Sequence, residues 1–205
     1  MRVALFDYGA GNLHSLKKAL EAGGAAVSVT PSWGDALSLD ALVLPGVGSF
    51  GAAVDSLGSK AENVRVALEA GLPTLGICLG MQLLFERSEE GKGRGIGFLA
   101  GAVVRLPTPI VPQMGWNDVA TGADPLFAGS RDLIAYYANS YVCAPEDPEV
   151  VIARTEYQGH TFPAAVRRGL TWGIQFHPEK SSGPGLRIIR NFLDMVRYGP
   201  EGGEE

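Results

Sequence analysis

The sequence predicts an α/β fold: a doubly wound, mostly parallel open sheet with antiparallel edge strands. Three observations carry this. In the first half, short apolar runs (2–8, 25–30, 41–44 and 73–78) alternate with segments of helical periodicity (13–22 and 52–70). Such alternation builds a parallel sheet. In the second half, strand-like runs at 102–106, 111–119, 133–142, 150–156 and 162–167 follow one another with turns between them, which points to antiparallel pairing at the edge of the sheet. Finally, Cys78 stands between Gly76 and Gly80 where an apolar strand runs straight into a helical pattern.

Composition narrows the class. At 205 residues one domain with a real core is expected, placed at 1–198 and followed by a frayed tail at 199–205. The net charge of −5 gives no general attraction to phosphate backbones, so no nucleic-acid partner is expected. No apolar run approaches the roughly 20 residues of a membrane helix. Met1–Asp7 has too short an apolar run for a signal peptide, and two cysteines make no disulfide framework. A reduced, cytoplasmic protein without membrane contact is the expectation.

Along the chain, Arg2–Tyr8 is mostly apolar and reads as a strand buried on both faces. Leu13, Leu16 and Leu20 then mark the inner face of a helix that Gly23-Gly24 ends. Gly9-Ala10-Gly11 after a strand resembles a dinucleotide loop, but the third glycine would fall at His14, so the fingerprint fails and a tight turn remains. The strand Ala41–Leu44 runs into Pro45-Gly46-Val47-Gly48. If it lies beside the Cys78 strand, its end delivers backbone N–H groups to the same site, where open α/β sheets bind ligands. The helical pattern at 52–70 breaks near Gly58. The last clear helix is Gly185–Arg197, with Leu186, Ile189, Phe192, Leu193 and Val196 inward.

Pro73–Gln82 is the stretch that carries chemistry. It matches the nucleophile elbow G-x-S-x-G with cysteine for serine, followed by a helical pattern over Leu79–Arg87. A cysteine at a helix N-terminus is favoured as thiolate, the nucleophilic form, and the N–H of Leu79 is placed to stabilise an oxyanion. On this stretch alone, a core cysteine flanked by glycines remains the alternative. Thr171–Glu179 supplies what a nucleophile needs. It reads as an apolar strand ending in His177-Pro178-Glu179. Side chains at i and i+2 of an extended chain point the same way, with Cα atoms roughly 6–7 Å apart. A carboxylate on one imidazole nitrogen fixes the tautomer and leaves the other free to move a proton. His14, beside Lys17 and Lys18, and His160, in a hairpin turn, lack partners at metal-ligand spacing, so no metal or other cofactor is expected. Cys143 reads as a small core residue.

Gly76-Ile77-Cys78-Leu79-Gly80-Met81-Gln82 with Gln175-Phe176-His177-Pro178-Glu179 and the upstream Pro45-Gly46-Val47-Gly48 resembles the class I (triad) glutamine amidotransferases. Asp7-Tyr8-Gly9-Ala10-Gly11-Asn12, Gly115-Trp116-Asn117 and His177-Pro178-Glu179-Lys180-Ser181 narrow the resemblance to the glutaminase subunits of imidazole glycerol phosphate synthase, over nearly the whole chain. The resemblance implies hydrolysis of L-glutamine to glutamate and ammonia for histidine biosynthesis. It implies Cys78 as nucleophile, His177 as proton shuttle and Glu179 as its orienter, with the N–H groups of Leu79 and Val47 as oxyanion hole. Gly46 and Gln82 match substrate-holding positions, and Glu90, Ser140 and Tyr141 match further contacts. The implied partner is a (β/α)8-barrel cyclase in a heterodimer, with Asn12, Trp116, Tyr136 and Lys180 near the interface.

The chain departs from the family's usual pattern at Gln113 and Asn139, where histidines are common. An amide hydrogen-bonds but does not change charge near neutral pH, so signalling that uses those imidazoles would differ here. The glutaminase of another synthase, a stand-alone cysteine hydrolase and a binding subunit with an inert Cys78 are the competing readings.

Overall fold

The computed structural model describes residues 1–9, 11–130 and 132–199. Ala10, Arg131 and all of the expected tail beyond Gly199 lie outside the described residues. The first strand, Arg2–Phe6 (β1), shows why the sheet is two-sided. Val3 and Leu5 enter one apolar core, and Ala4 and Phe6 the other, because alternate residues of a strand face opposite ways. Ala41–Leu44 (β3) divides in the same manner, Val43 to one core and Leu42 and Leu44 to the other.

The remaining first-half elements follow the predicted alternation. They are His14–Ala22 (α1), Ala26–Thr30 (β2), Trp33–Ala36 (α2), Phe50–Leu57 (α3), Ala61–Glu69 (α4), Thr74–Ile77 (β4) and Leu79–Leu83 (α5). The break expected near Gly58 is there: Gly58 sits at φ +49° and starts a 3-10 turn over Gly58–Lys60. The second half holds Phe85–Ser88 (β5), Leu99–Arg105 (β6), Gln113–Thr121 (β7), Leu133–Asn139 (β8), Tyr141–Pro145 (β9), Val151–Tyr157 (β10), His160–Arg168 (β11), Thr171–Ile174 (β12) and Ser182–Tyr198 (α6).

Nine strands form one sheet in the order β2-β1-β3-β4-β12-β11-β10-β7-β8. From β2 to β12 all neighbours are parallel; from β12 onward all are antiparallel. This is the predicted mixed sheet with an antiparallel edge. A second sheet, β5-β6-β9, covers one face. Helices α1 and α6 contribute Leu16, Leu20, Ile188, Ile189, Phe192 and Leu193 to one core. On the other face Phe50, Leu57, Val64, Leu68 and Met81 pack with Leu99, Val103 and Cys143 of the small sheet. Each fully buried side chain of this size contributes about 1.5–3 kcal/mol relative to exposure.

Three expectations need correction. The helix after Cys78 stops at Leu83 rather than running to Arg87, because Ile96 and Leu99 donate their N–H groups to the carbonyls of Leu83 and Leu84 and Phe85–Ser88 pairs with β6 as a strand. The expected strand 133–142 is two strands in different sheets. Leu106 N–H binds the Ser140 carbonyl at 2.9 Å, and from Tyr141 the chain pairs with β6 instead of β7. Leu186, expected inward, is exposed. The residue that docks the first turn of α6 is Gly185, whose Cα lies against the Pro178 carbonyl and Ser181, which turns residue 186 outward.

Candidate active site

The C-terminal ends of β3, β4 and β12, three adjacent strands, converge on Cys78. Its backbone sits at φ +47°, ψ −103°, a region costing about 1–3 kcal/mol for a residue with a Cβ. The surroundings hold it there. Cys78 N–H donates to the Ile174 carbonyl of β12 at 2.7 Å, and Cys78 O accepts from Gln82 N–H. Gly76 and Gly80 permit the turn by close approach. A Cβ on Gly76 would come 2.6 Å from the Gly80 carbonyl oxygen, and one on Gly80 would overlap the Leu44 carbonyl of β3. With five residues, α5 has little macrodipole; its effect on the sulfur comes from the free N–H groups of its first turn.

Gly46, at the end of β3, closes the third side. A Cβ there would lie 2.8 Å from Cys78 Cβ and 2.9 Å from His177 Cε1, which puts nucleophile, imidazole and the Gly46 backbone in mutual contact. Val47 follows, half-buried, with its side chain packed against Gly11.

His177 is pinned at both ends. Its N–H donates to the Tyr136 carbonyl at 2.9 Å. The Ser181 hydroxyl donates to the His177 carbonyl at 2.6 Å and accepts from Tyr136 N–H at 2.9 Å. Nδ1 lies 2.9 Å from Glu179 Oε1, both side chains being nearly buried. Glu179 reaches it from a 3-10 turn over Pro178–Lys180 instead of the extended chain expected. Burial alone would depress the imidazole, but hydrogen bonds to Cys78 and Glu179, with the charges of both, win and hold His177 up at about 9. With Nδ1 engaged by the carboxylate, Nε2 is the nitrogen left for the sulfur.

A pocket of about 250 Å³ opens over Cys78. Gly46, Gly48, Leu79, Gln82 and Glu90 line one side; Met114, Asn139, Ser140 and Tyr141 line the other. The structure therefore brings the predicted substrate contacts together around the sulfur. Glu90 also caps a helix: its Oε2 accepts the Phe50 N–H at 3.0 Å at the start of α3. The volume suits a small amino acid, and its polar lining is mixed with apolar walls.

The predicted interface residues lie apart from the sulfur, on the neighbouring surface. Trp116 and Tyr136 are register partners on β7 and β8, with rings edge-on at 6.1 Å. Lys180 Nζ sits 5.7 Å from the Tyr136 ring. Trp116 is 55% and Met114 67% exposed, so an apolar face continues from the pocket rim outward. Asn12 is exposed, its Oδ1 accepting the His14 N–H at the start of α1, and the 178–180 turn packs on that helix. Gln113 and Asn139 are also register partners, both buried, and neither amide atom of Gln113 has a hydrogen-bond partner among the described residues.

Two polar residues at the site, Gln175 and Ser181, carry no role in the sequence analysis beyond their place in the motifs. Gln175 is fully buried and donates from Nε2 to Cys78 Sγ at 3.4 Å. Its spacing two before His177 was the signal available, because both side chains then face the same way.

The comparisons agree with this geometry. Residues 4–196 match the family described as Glutamine amidotransferase class-I. Imidazole glycerol phosphate synthase subunit HisH of Symbiobacterium thermophilum is 46% identical over 201 residues, covering 95% of this chain and 94% of that protein. The same subunit of Moorella thermoacetica is 44% identical, covering 98% of each. Among solved structures, a glutamine amidotransferase crystal structure aligns with TM-score 0.76 at 22% identity, covering 95% of this chain and 99% of its own. PurLQS from Thermotoga maritima gives TM-score 0.76 at 22% identity, covering 95% and 98%. At that identity these two speak for the fold alone. The chain belongs to the class-I glutamine amidotransferase family and, within it, to the HisH subunits of imidazole glycerol phosphate synthase.

Proposed function

We propose that this chain, as one domain over residues 1–198 working in the cytoplasm, hydrolyses L-glutamine and hands the ammonia to a cyclase that makes imidazole glycerol phosphate and an aminoimidazole carboxamide ribotide in histidine biosynthesis. The observation that carries it is the convergence of Cys78, His177 and Glu179 under one small pocket.

In the reaction, Cys78 Sγ forms a bond to the side-chain amide carbon of glutamine while His177 carries the thiol proton. The oxyanion is held by the N–H groups of Leu79 and Val47. His177 passes its proton to the amide nitrogen, the C–N bond breaks, and ammonia leaves with a thioester on Cys78. Water attacks the thioester, His177 takes its proton, the C–S bond breaks, and glutamate departs. Glu179 keeps Nε2 facing the sulfur and stabilises the imidazolium throughout. Gly46, Gln82, Glu90, Ser140 and Tyr141 hold the substrate.

The partner is a cyclase of (β/α)8-barrel form, bound as a heterodimer over Trp116, Tyr136, Lys180 and Asn12, with its mouth receiving the ammonia. An exposed tryptophan packed beside a tyrosine is the composition of an interface anchor. Glycines on both sides of Val47 lower the cost of turning its N–H toward or away from the oxyanion, which gives the partner a means of control. Glutamate release is the test, measured with the chain alone and with the cyclase and its ligand. Release that depends on Cys78 and rises with the partner is expected. Full release from Cys78→Ala, or no complex and no rate change with the cyclase, overturns the reading.

A further inference from the structure

Gln175 is wholly buried one residue beyond β12, and its amide is used at both ends. Nε2 donates to Cys78 Sγ at 3.4 Å, and Oε1 accepts from Gln82 Nε2 at 3.3 Å. The other amide hydrogen of Gln82 goes to the Tyr141 carbonyl at 3.3 Å. Both Gln82 hydrogens are thereby committed, and its carbonyl oxygen is the part left to accept from a ligand in the pocket it lines. The same commitment fixes Gln175. Turned over, it would set its NH2 against that of Gln82, two buried donors without an acceptor, and aim a carbonyl at the sulfur.

We propose that Gln175 is a further catalytic group: a permanent hydrogen-bond donor to the Cys78 sulfur that also locks the substrate-binding Gln82 to the nucleophile. The inference rests on the glutaminase reading. His177 and Gln175 approach the sulfur from the same strand end but differ in kind. The imidazole gains and loses a proton during turnover, so its support for a negative sulfur varies. The amide does not titrate, so it supports thiolate both before attack and when the sulfur leaves the acyl group. The other titratable groups acting on this sulfur or its base are Glu179, through His177, and Cys143, which is buried, held well above its ordinary range by desolvation, and close enough to feel the charge of Cys78. Neither donates to the sulfur.

Two variants, assayed as full chains with the cyclase partner, separate the functions. Gln175→Met keeps the length and removes donor and acceptor. Gln175→Glu keeps an acceptor for Gln82 and replaces the permanent amide donor with a carboxyl that donates only when protonated, so it is assayed at the high-pH end of the activity range, where it is a carboxylate. Both should lower kcat for glutamine about tenfold, the scale of one hydrogen bond to a charged group. KM should rise several-fold only in Gln175→Met, since only there does Gln82 lose its anchor. Alkylation of Cys78 by iodoacetamide, measured without glutamine, should slow in both. A packing role alone would lower the unfolding temperature and leave alkylation rate and KM untouched. A folded variant of either kind with wild-type kcat and wild-type alkylation overturns the proposal. Wild-type chain that alkylates but releases no glutamate defeats the glutaminase reading instead, and the alkylation arm still decides whether Gln175 serves the sulfur.

Discussion

Glu179 Oε1 lies 2.9 Å from His177 Nδ1 although the two residues are only two positions apart and the chain turns between them. The pair is built locally, by Pro178 and the turn, and is held in place by Tyr136 of β8 and by Ser181. The imidazole, raised from 6.5 to about 9 against the pull of burial, is charged in the folded state where it would be neutral in the unfolded one. Its contribution to stability is therefore complete below pH 6.5 and lost as pH climbs through about 9. Glu179→Gln removes one of the two groups holding it up. The fall in unfolding temperature across that window should be shallower in the variant, and kcat for glutamine should drop roughly 10²–10⁴-fold. Thermal melts at stepped pH and steady-state kinetics check both.

Cys78→Ala should abolish glutamate release by at least about 10³-fold, since Cys78 carries the only thiol among the described residues that line the pocket. Binding of the cyclase should be unchanged, because the sulfur lies in the pocket and the Trp116 face does not include it. A coupled glutamate assay and calorimetric titration of the partner separate the two outcomes.

Glycine replacements should fail in different ways. Gly46→Ala puts a methyl 2.8 Å from Cys78 Cβ and 2.9 Å from His177 Cε1, so it should keep the fold and cost about 10²-fold in kcat through misplacement of the reacting groups. Gly80→Ala meets the Leu44 backbone instead, which cannot rotate away. It should lower unfolding stability by about 1–3 kcal/mol. Denaturant unfolding and kinetics on both variants test the contrast.

Trp116→Ala should weaken cyclase binding by about 2 kcal/mol, the threshold of an anchor residue. With the side chain 55% exposed in the free chain, unfolding stability should move by no more than about 0.5 kcal/mol. Calorimetry beside a thermal melt distinguishes the two effects.

The triad was legible in sequence because each part is contiguous: a glycine on both sides of Cys78, and His177-Pro178-Glu179 in one run. The parallel half of the sheet was legible because β1, β3 and β4 are short runs buried on both faces. What periodicity could not show was which apolar residues share a strand. Leu84 and Arg87 continue the spacing of Leu79 and Leu83, and only the N–H groups of 96–99, which arrive from later in the chain, end that helix. Ser140 carries no breaking signal, yet the chain changes sheets there. Gln175 looked like one polar residue in an apolar strand; its partners, Gln82 and Cys78, come from an element far away in sequence.

The sheet order has a consequence for how the protein comes into being. β12 inserts beside β4, so the strand that carries the base neighbours the strand that carries the thiol, although it is made long after it. A chain growing from its N-terminus can form β1 through β4 and expose Cys78 while His177, Glu179 and Gln175 do not yet exist. Throughout most of synthesis the sulfur has neither the base nor the amide donor beside it, and the triad is complete only when nearly all of the polypeptide is in place. The last strand of the sheet to be translated is thus the safety catch on the cysteine.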